Sequence, residues 1–201
     1  MKITSIDRVL LLLTSLLAGY QVAVGINGLG TIPIIVYTIG FGVLLVAALL
    51  MIILGMEVLD SPIVVIVSTI IPLSLSLGLI WEHAASYRIL YLLFALIGFL
   101  AVSFTRSIPI GSKLPTIILA VVHGIAGMTI FLLPSILAAN GIMSPSFALV
   151  GLGGALMGLG GLLLSFLKAG RPVISKETIL RVLPALLLLM TVCFVAGFRY
   201  G

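Results

Sequence analysis

Charge is the scarcest commodity in this chain of 201 residues: Asp, Glu, Lys and Arg together make up 7% of it. A soluble domain carries about a quarter charged residues, because its surface must be held in water. The shortage excludes a water-facing surface over most of the fold and leaves lipid as the solvent. Cysteine is nearly absent too. Cys193 stands alone, which excludes an internal disulfide and a CxxC metal or redox pair. The acids are five, Asp7, Glu57, Asp60, Glu82 and Glu177, and all fall in expected loops or at helix ends. Neither a converging metal-ligand set nor an intramembrane aspartyl pair is available. No catalytic, cofactor or metal residue is therefore expected, and no enzyme activity. Lysine stops at Lys176, which excludes a retinal Schiff base in the last helix.

What the chain has in quantity is apolar length, with 62% hydrophobic residues. A membrane-crossing helix needs roughly 17–25 mostly apolar residues. Seven stretches qualify, at about 9–26, 32–56, 62–81, 87–104, 115–139, 145–167 and 178–199. The runs are continuous rather than alternating, which favours helices over a barrel. Short connections such as NGLGTIP, EVLDSP and NGIMSP carry turn residues between them. The first run follows Lys2 and Arg8 like a signal peptide, but no small-x-small cleavage site follows it, so it reads as a retained helix. The expectation is an all-α integral membrane protein, one multi-pass domain over 1–201, with the lipid bilayer as its first partner.

The cations set an orientation. With seven spans, one side receives Lys2, Arg8, Arg106, Lys113, Lys168, Arg171, Lys176 and Arg181, and the other only Arg88 and Arg199. Cytoplasmic loops are enriched in Lys and Arg, so the N-terminus is expected inside and the C-terminus outside. The same bias accounts for the net charge of +5 without a nucleic-acid partner. Spans one to three and five to seven then run the same way, with the fourth as connector. Pro33 and Pro145 begin spans two and six, and Pro72 and Pro184 follow them at equal spacing. This suggests a 3+1+3 parallel repeat; prolines starting apolar helices of similar length give the same spacing.

Two stretches stand out. In ALVGLGGALMGLGGLLLSF, Gly151, Gly154, Gly158 and Gly161 share one helix face, and Gly153 and Gly160 lie nearly opposite. Glycine lets backbones approach closely in lipid, so a helix packed from both sides is expected. The fifth span carries His123, the one ionisable residue well inside any apolar run. A polar ring at that depth calls for a partner. Ser68, Thr69 and Gln21 are the candidates, and with His123 they make the candidate polar site. Pro72 and Pro134 are expected to kink their helices and to free the Ser68 and Ile130 carbonyls. His83 is placed at the outer end of the third span, too far from His123 in depth for one haem to bridge.

Three functions fit these residues. The first is a non-catalytic subunit, assembly factor or scaffold, in contact with other membrane subunits or a second copy of itself. The alternative is a small transporter or channel for a neutral or weakly polar solute. The third is a redox or quinone-interacting subunit built around His123.

Overall fold

The computed structural model describes residues 3–108, 110–168, 170 and 172–201. Lys2 and Arg171, two of the cations counted above, lie outside the described residues. Helix α1 spans Ser5–Val24 and begins with a capping box. Asp7 N–H donates to Thr4 Oγ1 at 3.2 Å, and Thr4 N–H donates to Asp7 Oδ2 at 2.9 Å. Two otherwise orphaned donors at the helix start are satisfied this way. Helix α2 spans Thr31–Leu54 and stops at Gly55, whose φ of 82° suits glycine and strains other residues.

A 3-10 turn over Met56–Asp60 leads into α3, Pro62–Ser68, and α4, Ile70–His83. The single third span expected over 62–81 is thus interrupted at Thr69. Pro72 supplies the physical reason, since it has no N–H for the carbonyl of Ser68. The Ser68 and Thr69 hydroxyls both turn back to the Val65 carbonyl, at 3.0 and 2.9 Å, within the same turn. A 3-10 turn over Ala85–Tyr87 precedes α5, Arg88–Ser107. Helix α6 spans Leu114–Ala139 and runs through Pro134 as one helix. A 3-10 turn over Pro145–Phe147 precedes α7, Ala148–Lys168, and α8 covers Lys176–Tyr200.

Counting α3 and α4 as one span, seven helical segments among the described residues are long and apolar enough to cross a membrane. By length and composition the chain is an integral membrane protein. No strand occurs among the described residues.

The principal packing neighbours form a ring: α1 on α2, α2 on α4, α4 on α6, α6 on α7, α7 on α8, and α8 back on α1. Helix α5 stands outside the ring, against α3, α4 and α6. Its outer face exposes Ile89, Leu93, Ile97, Leu100 and Phe104. In water such a face would be a liability; against lipid it is the ordinary outer surface of a span.

Aromatic rings fill one part of the ring's interior. Phe41 meets Phe194 edge-on at 6.4 Å, and Tyr37 meets Phe198 at 4.8 Å. Tyr37 fits because position 78 has no side chain: a Cβ on Gly78 would lie 2.6 Å from the ring. A second cluster, Leu11, Ala48, Met51, Met56, Leu180 and Leu183, joins α1, α2 and α8. The third, around Val65, Ala95, Val102, Leu119 and Val122, fastens α5 to α3 and α6.

Candidate functional site

His123 is the tenth residue of α6, deep in the helix. The residue is partly buried; its Nε2 atom is wholly so and has no hydrogen-bond partner. The ring sits against Gly161 of α7, filling the space where a Cβ would stand. The backbone of Met157, four residues before Gly161, lies beside the ring. An imidazole nitrogen presents either a hydrogen or a lone pair, so the unpartnered Nε2 is an unmet hydrogen-bonding atom in either tautomer.

Three cavities meet at the His123–Gly161 contact. One, of about 140 Å³, lies inside the ring between α2, α3, α4, α7 and α8, with Leu44, Ile71, Pro72, Met157, Leu187 and Met190 in its walls. A second, of about 80 Å³, runs past Ser68 and Thr69 to Lys168 at the end of α7. The third is a groove of about 320 Å³ on the outer side of α6 and α7, floored by Gly124, Gly127, Gly154 and Gly158. The walls are almost wholly apolar. A buried, unmatched polar atom in such walls is costly unless something supplies a hydrogen-bond partner.

The structure brings Ser68 and Thr69 to the second cavity with His123, and Ser68 to the first as well. Neither hydroxyl bonds to the imidazole, since both are committed to Val65. Gln21 is a correction to the expected cluster. Its side-chain amide donates to the Gly25 carbonyl at 2.7 Å, and it lines two other cavities, one between the end of α1 and the first turns of α2 and one between the C-terminal ends of α1 and α8. Its depth in the apolar run suggested a neighbour of His123, but the helix end captures the side chain instead.

No family model, curated protein or solved structure matches this chain. The site therefore stands on its own geometry.

The glycines of α7 divide by neighbour. A Cβ on Gly151 would meet Ser135 and the Phe131 carbonyl, and one on Gly154 would lie 2.7 Å from Ile130 Cγ2, all on α6. On the other side, a Cβ on Gly153 would lie 2.6 Å from the Phe194 ring and one on Gly160 would lie 3.0 Å from Leu186, both on α8. Gly158 has open space in front of it and faces the groove.

His83 closes α4 far from this site, with its ring 5.2 Å from Phe147. Among the described residues no group of three His, Cys, Asp or Glu side chains converges on a metal position. Sequence reading missed the meeting of three cavities, because no single helix carries it. It also missed Ser103 and Arg106 of α5, whose buried polar atoms lack partners; only the packed structure reveals a missing partner.

Proposed function

We propose that this protein is a membrane carrier for a small, largely apolar molecule that bears one hydrogen-bonding group, such as a hydroxyl. The observation that carries the reading is the buried, unpartnered Nε2 of His123 at the junction of three apolar cavities. A hydroxyl on a bound molecule can donate or accept and so would satisfy Nε2, and the cavity walls would take the apolar body. The helix order around the ring adds support. The first three spans and the last three form two triplets that meet head to tail, with the fifth α-helix outside as connector. A 3+1+3 parallel repeat would give this order, and the cation bias would put the N-terminus inside and the C-terminus outside; carriers of this kind place solute between their repeats.

The test is flux. The purified chain in proteoliposomes is offered labelled neutral alcohols and phenols of graded size. Saturable uptake of one class, lost in His123→Leu, supports the reading; mere leak with every solute, and no co-purified small molecule by native mass spectrometry, overturns it.

A second reading, a non-catalytic subunit or scaffold of a membrane complex, draws on the outer groove alone. Its floor of Gly124, Gly127 and Gly158 would admit a helix from another subunit or a second copy at close range. Crosslinking from Gly124→Cys in native membranes separates the two readings, since a carrier working alone gives no discrete adduct.

A further inference from the structure

Among the described residues, four buried side-chain nitrogen or oxygen atoms lack a hydrogen-bond partner, and three of them lie within one turn of α5: Ser103 Oγ, Arg106 Nε and Arg106 Nη2. Many serines and threonines elsewhere in these helices settle their own hydroxyls by donating to the carbonyl four residues back. Thr105 does so at 2.7 Å, Thr129 at 2.9 Å and Ser135 at 2.7 Å. Ser103 has the same bond within reach and does not make it. Positions 103 and 106 are three apart and share a helix face, so a hydroxyl and a guanidinium are held side by side.

The charges nearby point the same way. Lys168, the last residue of α7, donates from Nζ to the Leu59 carbonyl, which fixes its ammonium at this end of the bundle. Arg106, Lys176 and Asp60 all act electrostatically on Lys168. Asp60 is paired with Lys176 at 3.9 Å and is also the strongest charge acting on Lys168, ahead of Arg106. A guanidinium whose donors are shut away from water beside an unpartnered hydroxyl is unfavourable unless an anion joins them. The anion must offer several acceptor oxygens, because a guanidinium edge, a hydroxyl and an ammonium all have hydrogens to give. Arg106 stands next to last in α5 and Lys168 last in α7, the level at which lipid headgroups meet a span.

We propose that Ser103, Arg106 and Lys168 bind a phosphate group, presented by a phospholipid headgroup or as free phosphate. A guanidinium fork suits phosphate oxygens in pairs, the Ser103 hydroxyl reaches another oxygen, and Lys168 adds a point charge. Lys168 also lines the second cavity beside His123, whereas Ser103 and Arg106 line none of the three, so variants at 103 and 106 test this site apart from what the cavities carry.

The experiment uses the full chain, delipidated in detergent and titrated with phosphatidylglycerol, with diacylglycerol as the same lipid without phosphate, and with inorganic phosphate. Native mass spectrometry and thermal shift read the binding. Phosphatidylglycerol is expected to bind and to raise the melting temperature while diacylglycerol does neither. Arg106→Gln is expected to weaken that binding about ten-fold, Ser103→Ala about three-fold, and Arg199→Gln not at all. If inorganic phosphate protects equally well, free phosphate is the natural occupant and the site stands. If Arg106→Gln fails to insert, Arg106→Lys and Ser103→Ala carry the same comparison. Equal affinity in the parent and in these variants overturns the proposal, as does equal binding of diacylglycerol.

Discussion

The His123 ring occupies the space in which a side chain on residue 161 would begin: a Cβ there would lie 2.6 Å from His123 Cδ2 and 3.1 Å from Cε1. Two helices are therefore keyed together by one imidazole and one missing methyl group. The contact also decides where the ring's nitrogens go, since it holds the ring next to the Met157 backbone.

Gly161→Ala is expected to displace the ring and to lower stability by about 1–3 kcal/mol, the usual range for overpacking. Gly158→Ala, with nothing within 4 Å of its new methyl, is expected to leave the melting temperature unchanged or slightly raised. Thermal unfolding of both variants in the same detergent checks the pair; equal losses would mean that the groove, not the ring, sets the spacing of α6 and α7.

His123→Leu separates the two roles open to the imidazole. Removing a buried polar atom that has no partner is expected to leave stability unchanged or to raise it by up to about 1 kcal/mol. Saturable uptake in proteoliposomes is expected to disappear. A loss of several kcal/mol with uptake intact would make the ring a packing element alone.

Glycine is not everywhere a contact residue in this fold, and α2 and α7 supply the contrast. At Gly154 a methyl group would lie 2.8 Å from the backbone of Ile130 and Phe131, atoms that cannot rotate away. Gly154→Ala is expected to destabilise by about 2 kcal/mol or more. Gly42, inside α2, has nothing within 4 Å. Gly42→Ala is expected to gain roughly 0.5–1 kcal/mol from helix propensity. Melting temperatures that move in the same direction would contradict this account.

Cys193 is the sole cysteine, so Cys193→Ser gives a background for mapping orientation. Single cysteines at Ser112, between α5 and α6, and at Asn140, just after α6, are then labelled in intact cells with a membrane-impermeant maleimide. Asn140→Cys is expected to react from outside and Ser112→Cys only after the membrane is opened. The reverse pattern would invert the orientation drawn from the cations.

The seven spans were legible in the sequence because each is written locally, in apolar length and in the residues that stop it. The ends at Gly25 and Gly55 follow from glycine's tolerance of positive φ, at 69° and 82°. The interruption at Thr69 was half legible: Pro72 announced a lost hydrogen bond, but its effect falls three residues upstream. The depth of His123 could be counted along one helix, whereas the fate of Gln21 depended on a carbonyl at a helix end. The orphaned atoms of Ser103 and Arg106 had no local signature at all. Ser103 and Thr105 look alike in sequence, and only packing separates the hydroxyl that satisfies itself from the one that does not.

The ring of helices also imposes an order on biosynthesis. Its closing contact joins α1 to α8, the first and last of the spans in this chain. As the polypeptide emerges N-terminus first, α1 must wait in the bilayer with the face of Leu11, which clusters with Leu180 and Leu183 of α8, covered by lipid until α8 arrives. Every wall of the interior cavity except the one from α8 exists before that moment, so the cavity comes into being when α8 inserts. A ribosome stalled before Lys176 would leave an open crescent of helices, a ready substrate for membrane quality control.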